Sequence, residues 1–363
     1  MPTSILEDRT KLAEIDKSNV LGSVEQLGDQ VQHVWDTART LHIDPSYRDI
    51  DNVVVAGMGG SALGTHVIQT VFKDELRVPV VVVPEYSLPR FVNQRTLVIA
   101  SSYSGTTEET LAATEDALQK GAKVAGITTG GTLADVLKTN DCPALIFEAK
   151  YNPSNQPRMA LGYSVFGQIA LFAQAGLLTI SDETFQSVLH AIAEMHLKAS
   201  VHIPQDDNVA KLLAFHILGR IPIISVSEHL EGAAHVFANQ LNENAKSYSE
   251  YRVIPELNHH LLEGLKNPAT NPDSLFYFLA ESELYHPNNR LRMELTAEVL
   301  DQNHIEHSSL KLESHTKLGQ AFELLTFGAY TNFYLAMLYN QDPAPIPWVD
   351  WFKGRLQERG STS

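Results

Sequence analysis

The fold class is decided in the stretch Val53-Val54-Val55-Ala56-Gly57-Met58-Gly59-Gly60-Ser61-Ala62, where a short apolar run leads into three glycines within four residues. The β-branched run predicts a buried strand, and a helical stretch follows at 62–72. Glycines at such a junction let the backbone come close to a ligand and let N–H groups converge on an anion at a helix N-terminus. The stretch therefore predicts a strand, an anion-binding loop and a helix.

The alternation of apolar strands and helices continues along the chain. Further strands are predicted at 80–83, 96–101, 124–128 and 144–147, with helices at 108–118 and 133–137 between them. Two helices at 158–178 and 181–200 precede a second series, with helices at 212–218, 229–246 and 318–338, strands at 221–226, 275–279 and 307–312, and a last short helix near Trp348. This pattern predicts an α/β fold with parallel sheets covered on both faces.

Two related α/β units in tandem account for the length of 363 residues. We predict an N-terminal helical segment at 1–45, which contains an amphipathic helix at 23–41, and a first domain at 46–180. A connecting helix is predicted at 181–206, and a second domain with C-terminal helices at 207–363.

Composition narrows the classes of function. The net charge is −16, with no basic run, which argues against nucleic acid as a partner. No run approaches the roughly 20 apolar residues that cross a bilayer, and residues 1–19 lack a signal-peptide core, so we expect a cytoplasmic protein with no membrane partner. Cys142 is the only cysteine, which excludes an intrachain disulfide and a cysteine-based zinc site.

A second loop rich in hydroxyl groups follows the strand at 96–101. It reads Ser102-Tyr103-Ser104-Gly105-Thr106-Thr107-Glu108-Glu109-Thr110 and holds five Ser/Thr hydroxyls where a strand meets a helix N-terminus. Helix capping by Thr106 or Thr107 needs only one of them. Because parallel sheets bind ligands at the carboxyl ends of their strands, both loops together predict a phosphate site.

A dinucleotide site is the competing interpretation of the first loop. Gly57, Gly59 and Ala62 fit the pattern G-x-G-x-x-A, and Glu85 could contact a ribose. A nicotinamide enzyme has no evident need for the second loop, so we favour the phosphate site.

The two loops resemble the sugar-isomerase (SIS) domain and, more narrowly, the bifunctional phosphoglucose/phosphomannose isomerase family. The resemblance runs from Val53 to Leu356 and also covers Gln156-Pro157-Arg158, Asn242-Glu243-Asn244-Ala245-Lys246 and Glu256-Leu257-Asn258-His259. It implies two tandem SIS domains, each a parallel, flavodoxin-like sheet flanked by helices. It also implies aldose–ketose isomerisation of hexose 6-phosphates through ring opening and a cis-enediol proton transfer.

The resemblance implies a phosphate site and four catalytic residues. The phosphate would be bound by Gly59, Gly60, Ser61, Ser102, Ser104 and Thr107. Glu243 would be the base, although it lies off the apolar stripe of its helix, so that periodicity alone predicts a solvated carboxylate. Arg158 would stabilise the enediolate, with a structural salt bridge as the equal alternative from the residues alone.

The remaining two catalytic residues serve ring opening. His259 corresponds to a histidine that the family supplies from the partner subunit, which implies a homodimer; a surface histidine is the alternative. Lys353 corresponds to the family's C-terminal lysine, and a snorkelling surface lysine is its alternative.

The chemistry fixes the expected partners. Aldose–ketose isomerisation requires a hexose 6-phosphate substrate but no cofactor and no metal. A non-catalytic sugar-phosphate-binding SIS regulator is the alternative function. One departure concerns specificity: the chain reads Asp342-Pro343-Ala344-Pro345 where the family commonly has Asp-Pro-Thr-Pro, so Ala344 leaves the acceptance of mannose 6-phosphate open.

Overall fold

A computed structural model describes residues 5–360 as two parallel sheets flanked by helices. The first sheet has the order β2-β1-β3-β4-β5 and the second the order β7-β6-β8-β9. The strands are β1 (Asn52–Gly57), β2 (Val80–Val83), β3 (Thr96–Ser101), β4 (Lys123–Thr128), β5 (Ala144–Ile146), β6 (Ile221–Ser227), β7 (Glu250–Ile254), β8 (Leu275–Glu281) and β9 (His307–Lys311). The order 2-1-3-4-5 is the flavodoxin-like order that we predicted, and it differs from the 3-2-1-4-5-6 order of the common dinucleotide-binding fold.

The helices cover both faces of each sheet and fill the space between the sheets. They are α1 (Arg9–Ile15), α2 (Val20–Glu25), α3 (Leu27–Ala38), α4 (Leu63–Val71), α5 (Glu108–Gln119), α6 (Gly131–Thr139), α7 (Gly167–Gln174), α8 (Asp182–Ala199), α9 (Val209–His216), α10 (Glu231–Glu243), α11 (Glu256–His260), α12 (Asn271–Ser274), α13 (Pro287–Gln302), α14 (Lys317–Leu338) and α15 (Pro347–Gly360). None of the helices in residues 5–360 is long and apolar enough to cross a membrane.

Helix α14 lies at the centre of the molecule. It is buried on every side from Leu318 to Met337 and packs against α8, α9 and α10. A helix that is buried all round has no polar face, which explains why its sequence is largely apolar. The boundaries at 46–180 and 207–363 remain our proposal; β1–β5 lie within the first of these ranges and β6–β9 within the second.

The turn and helix that follow β1 in the first half of the chain have counterparts after β6 in the second half. A 3₁₀ turn follows β1 at Gly59–Ser61 and another follows β6 at Glu228–Leu230, an offset of 169 residues. Gly59 and Glu228, the first residues of these turns, have left-handed φ angles of 49° and 46°. The helices that follow, α4 and α10, cross so closely that a Cβ on Gly232 would lie 2.5 Å from the backbone of His66.

The second half differs from the first in what occupies its loop. The carboxylate of Glu228 accepts hydrogen bonds from His286 N at 2.7 Å and from Asn289 Nδ2 at 2.8 Å, at the N-terminus of α13. A side-chain anion therefore lies at a helix N-terminus of the second half, where such groups are favourable.

The predicted long helix at 158–178 is shorter and less regular in the structure. The segment contains a 3₁₀ turn at Pro157–Met159 and a π-helical stretch at Gly162–Phe166 that continues directly into α7. The break coincides with a close approach to α3, because a Cβ on Gly162 would lie 2.4 Å from the Gln30 Cβ. Gln30 also accepts a hydrogen bond from Gly162 N at 3.0 Å, which holds the irregular backbone in place.

Candidate active site

Two loops meet at the carboxyl ends of β1 and β3, which we call the glycine loop (57–62) and the hydroxyl loop (101–107). The strands pair in parallel with Gly57 beside Ser101, so both loops leave the sheet at the same level. Ser61 joins them, because its hydroxyl accepts a hydrogen bond from Tyr103 N at 3.1 Å and its carbonyl accepts one from Ser101 Oγ at 2.7 Å. The predicted phosphate loops therefore form one continuous surface.

The glycine loop has N–H groups ahead of its first helical turn. The first hydrogen bond of that turn runs from Ser61 N to Met58 O at 3.0 Å, so the N–H groups of Gly59 and Gly60 precede it. Gly60 also lies against Arg158: a Cβ on Gly60 would be 3.6 Å from the Arg158 Cα. The loop thus offers backbone donors beside a cationic residue.

Four of the predicted hydroxyl groups belong to the hydroxyl loop: those of Ser104 and Thr106 are exposed, that of Thr107 is half-buried and that of Ser102 is buried. Ser102 and Thr107 are 2.9 Å apart, and the exposed Ser104 and Thr106 are 3.0 Å apart. The prediction that Thr110 contributes a fifth hydroxyl is wrong, because Thr110 lies within α5 and its hydroxyl is buried there without a hydrogen-bond partner. Thr107 occupies the N-cap position of α5 without a side-chain capping bond, so the first N–H groups of α5 keep room for another acceptor.

Gln168 holds the two loops together, and sequence reasoning missed it. This fully buried residue of α7 donates from Nε2 to Ser61 O at 2.5 Å and to Ser101 Oγ at 3.0 Å. Thr65 of α4 donates to its Oε1 at 2.7 Å, which fixes the orientation of the amide. A glutamine within an otherwise apolar predicted helix was the only signal, and a buried amide of that kind needs partners.

Arg158 is buried, with 3 % of its surface exposed, and most of its N–H groups bind protein atoms. Its NH2 group donates to Pro343 O at 2.8 Å and to Ala344 O at 2.6 Å, and its NH1 group donates to Gln156 Oε1 at 2.9 Å. Burial lowers the pKa of Arg158, and the nearby Glu243 opposes that shift. The guanidinium is therefore fixed in position and acts on its surroundings chiefly through its charge.

A closed ring of hydrogen bonds supports Arg158 from behind. Arg158 Nε donates to Asn244 Oδ1 at 2.5 Å, and Asn244 Nδ2 donates to Asn332 Oδ1 at 2.7 Å. Asn332 Nδ2 donates to Gln240 Oε1 at 3.1 Å, and Gln240 Nε2 returns to Arg158 O at 2.9 Å. All four residues are buried, so the ring is a satisfied polar network that fixes the end of α10.

Glu243, the last residue of α10, lies beside Arg158, with 3.8 Å between its Oε2 and Arg158 Nε. The side chain is 35 % exposed and so remains accessible. Burial raises the pKa of Glu243, and the charges of Arg158, Lys246 and Lys353 oppose that rise. The structure thus brings together the predicted base, the predicted cation and the charge of the predicted C-terminal lysine.

Lys246 is a cation of this site that sequence reasoning did not select. Its Nζ donates to Pro343 O at 2.9 Å and to Asp342 O at 3.2 Å, so it holds the same loop as Arg158. Burial, assisted by the charge of Arg158, lowers the pKa of Lys246 to about 8. Its position in the Asn242–Lys246 motif was the available signal. Ala344 is buried in the loop that both cations hold.

His259 does not join the other predicted residues. It is exposed on α11, and its side chain makes no hydrogen bond, ion pair or ring contact within residues 5–360. Glu243 precedes the amino end of β7, whereas α11 follows its carboxyl end. Because β7 has five residues at about 3.3 Å each, roughly 17 Å of strand separates these positions.

Two family models match the chain. The first, described as the SIS domain, covers residues 46–135. The second, described as the bacterial phospho-glucose isomerase C-terminal SIS domain, covers residues 206–356. The two models thus take in the loops at the carboxyl ends of β1 and β3, and also the segment that carries Glu243, His259 and Lys353.

Curated relatives match along most of their length. A bifunctional phosphoglucose/phosphomannose isomerase of Caldicellulosiruptor bescii is 33 % identical over 93 % of this chain and 98 % of its own. One from Thermoplasma acidophilum is 30 % identical over 87 % of this chain and 94 % of its own. A D-glucosamine-6-phosphate 4-epimerase of Sulfolobus acidocaldarius is 30 % identical over 64 % of this chain and 72 % of its own.

Solved structures share the fold at low sequence identity. A hypothetical protein of Thermus thermophilus aligns with a TM-score of 0.75 and 18 % identity over 97 % of this chain and 93 % of its own. The tagatose-6-phosphate ketose/aldose isomerase of Escherichia coli aligns with a TM-score of 0.66 and 16 % identity over 95 % of this chain and 98 % of its own.

Proposed function

The chain belongs to the family of bifunctional phosphoglucose/phosphomannose isomerases, and we propose that it interconverts glucose 6-phosphate and fructose 6-phosphate, with mannose 6-phosphate as a further substrate. This activity would place it in glycolysis and gluconeogenesis in the cytoplasm. The proposal needs neither a metal nor a cofactor, because the reaction only moves protons within the sugar.

One observation carries the proposal: Arg158 links the anion-binding loops to a carboxylate. Its backbone packs against Gly60 of the glycine loop, while its guanidinium lies 3.8 Å from Glu243. A phosphate on the two loops would therefore leave the carbon chain of the sugar to extend past Arg158 towards Glu243. Two α/β halves contribute one part each, which explains why the site lies between them.

Glu243 is the proposed base of the isomerisation. In the open-chain aldose it removes the proton from C2, and the electrons form the C1–C2 double bond of an enediolate with its charge on O1. A proton then passes from the O2 hydroxyl to O1, and the same carboxyl returns its proton to C1 as the C2 carbonyl forms, which gives the ketose. A carboxyl whose pKa is raised by burial suits a group that must accept and return a proton near neutral pH. The fixed positive charge of Arg158 favours the negative charge that develops on the enediolate oxygens.

Ring opening requires protons to move at the sugar O1 and O5, and we assign it to His259 and Lys353. The separation of His259 from Glu243 within one chain supports the supply of His259 by a second copy, as the resemblance implies. Lys353 belongs to the same chain as Glu243, on which its charge acts. The proposed active unit is therefore a homodimer with two shared sites.

The first test is an assay of the metal-stripped protein with fructose 6-phosphate, with glucose 6-phosphate and mannose 6-phosphate measured separately. We expect both products, and we expect Glu243→Gln to abolish turnover while fructose 6-phosphate still binds. Binding without any turnover by the unmodified protein would favour the regulator alternative. A fully active Glu243→Gln variant would refute the assignment of the base.

Ala344 is proposed to set the balance between the two aldoses. Its carbonyl binds Arg158 and its methyl group is buried, so this loop shapes the space next to the guanidinium. We expect Ala344→Thr, which introduces the family's hydroxyl, to raise the ratio of mannose 6-phosphate to glucose 6-phosphate formed. An unchanged ratio in the same assay would remove Ala344 from the specificity argument.

A further inference from the structure

Residues 147–158 lead from the edge strand β5 back to the glycine loop, and we call them the return segment. Strands β4 and β3 lie between β5 and β1 in the sheet, so the segment crosses the carboxyl ends of both. It starts at Phe147, whose N–H donates to Thr128 O at 3.2 Å, and it ends at Arg158, whose backbone packs against Gly60. The proposed cation is therefore the last residue of a segment that passes the hydroxyl loop.

Asn152 joins the return segment to the hydroxyl loop. Its Nδ2 donates to Tyr103 Oη at 3.0 Å and to Gln156 O at 3.0 Å, so both amide hydrogens are used. Ser154 Oγ donates to Asn152 Oδ1 at 3.0 Å, which fixes the orientation of the amide. Asn152 is 4 % exposed, and a buried amide with all of these partners is a rigid connection.

The connection continues from Asn152 to the guanidinium of Arg158. The carbonyl of Gln156 binds Asn152, while its side-chain Oε1 accepts a hydrogen bond from the NH1 group of Arg158 at 2.9 Å. At the other end, Tyr103 O accepts hydrogen bonds from Thr129 N at 3.0 Å and Thr129 Oγ1 at 2.7 Å, so the tyrosine is held in the hydroxyl loop. Tyr103, Asn152 and Gln156 thus connect the hydroxyl loop to the proposed cation, and we call these three residues the polar link.

The return segment is also attached to the N-terminal helices, independently of the polar link. Ser154 N donates to Ser23 Oγ at 3.0 Å, and Gln30 Nε2 donates to Tyr151 O at 3.1 Å. These bonds do not involve Tyr103, so the segment keeps its anchors when the bond between Tyr103 and Asn152 is removed. A change at that bond therefore alters the position of the segment relative to the hydroxyl loop without releasing the segment from the fold.

We propose that Asn152 is a positioning residue that sets the distance between the bound phosphate and the guanidinium of Arg158. This role rests on the proposed function, in which the hydroxyl loop binds the phosphate and Arg158 stabilises the enediolate. A substrate anchored at its phosphate reacts at C1 and C2, so the cation must be held at a fixed distance from that anchor. The packing of Gly60 on the Arg158 backbone sets one end of this distance, and the polar link sets the guanidinium.

Two kinds of ligand distinguish this role from a simple contribution to the phosphate loop. Inorganic phosphate reaches only the anion-binding loops. Arabinonate 5-phosphate, a five-carbon sugar acid, carries a carboxylate in the place of the enediolate and so reaches Arg158 as well. Loss of the polar link should weaken the ligand that spans both ends and leave the affinity for inorganic phosphate unchanged.

The test is a calorimetric titration of two variants with each ligand. Tyr103→Phe removes one acceptor and leaves Asn152 bonded to Gln156 O, whereas Asn152→Leu removes both bonds. We expect each variant to bind arabinonate 5-phosphate about fivefold more weakly, as loss of one hydrogen bond would produce, and to bind inorganic phosphate as before. With fructose 6-phosphate, kcat should fall by a similar factor.

Asn155→Gly is the matched control on the same segment. Asn155 is exposed, its side chain makes no hydrogen bond within residues 5–360, and its φ of 51° suits glycine. We expect this variant to keep both affinities and kcat. In a chain that carries Tyr103→Phe and Asn152→Leu together, the loss should be no larger than that of Asn152→Leu alone, because both changes break the same link.

The outcomes separate this proposal from the isomerase proposal. Equal weakening of both ligands would mean that the polar link only shapes the phosphate loop, and it would overturn the proposal. Full affinity of the variants for arabinonate 5-phosphate would also overturn it, as would an unmodified protein that binds this ligand no more tightly than inorganic phosphate. Circular dichroism melts check folding, and Tyr103→Phe decides if Asn152→Leu does not fold. An unmodified protein without turnover refutes the isomerase, while the two affinities still test the link.

Discussion

Burial raises the pKa of Glu243, and the positive charges of Arg158, Lys246 and Lys353 oppose that rise. As a base Glu243 must be ionised, so we expect kcat/KM to fall as the pH falls through its pKa, which burial raises from the usual value of a glutamate. Lys246→Met removes one of the cations that stabilise the carboxylate, and this acid limb should then move to higher pH. The pH profile of kcat/KM measures the shift. Lys138→Met, which changes an exposed lysine of α6, is the control and should leave the profile in place.

The hydrogen-bond ring behind Arg158 makes a second prediction. Asn332→Leu keeps the size of a buried side chain, but it leaves Gln240 Oε1 without a partner and leaves Asn244 Nδ2 with only the weak acceptor Met159 Sδ. We expect a loss of about 1–3 kcal/mol in the free energy of unfolding, since unsatisfied buried polar groups cost about that much. Thermal or urea unfolding measures it. Thr326→Val on the same helix removes only a hydroxyl bonded to Phe322 O, and a loss as large as that of Asn332→Leu would contradict the role of the ring.

Individual residues of the candidate site were predictable only where a motif named them. The sequence placed Arg158 and Glu243 in separate motifs, and the structure brings them to 3.8 Å from each other. The partners of Arg158 were not predictable, because Asn332 and the carbonyls of the 342–344 loop come from distant segments. Their roles depend on tertiary packing that periodicity does not encode.

At the level of elements, α7 connects the glycine loop and the hydroxyl loop through Gln168. We expect Gln168→Leu to raise the KM for fructose 6-phosphate about tenfold, which corresponds to about 1.4 kcal/mol of binding free energy. The reason is that Ser61 O and Ser101 Oγ lose the donor that sets their spacing. Steady-state kinetics of the folded variant give the KM. A change in kcat with an unaltered KM would argue against a role in loop positioning.

Strands and helices were predicted well in the first half and less well in the second. Strands β2 and β3 lie at the predicted positions, because short runs rich in β-branched and other apolar residues give a strong signal. Strand β7 was missed: it lies at the edge of its sheet, and Glu250 and Arg252 alternate with its apolar residues. Helix α13 was missed because exposed leucines blur its apolar pattern.

For the whole molecule, the shared site predicts complementation between two inactive variants. Glu243→Gln damages the site on its own chain, and His259→Ala damages the site on the partner. In an equimolar mixture, half of the dimers are mixed and each has one complete site, so about a quarter of the unmodified activity should return. Activity after mixing and re-equilibration measures this. If no activity returns although mixed dimers form, His259 acts within its own chain.

We expect the carboxylate of Glu228 to limit each chain to one sugar-phosphate ligand. In the first half the turn begins with Gly59 and leaves backbone donors open, whereas in the second half Glu228 already bonds the start of α13. A calorimetric titration with fructose 6-phosphate should therefore saturate at one molecule per chain, although the fold repeats. Glu228→Gly suits the left-handed φ of that position and removes the resident anion, so stoichiometry with inorganic phosphate should rise above one. Glu228 would thus explain why a chain with two similar halves binds only one sugar phosphate.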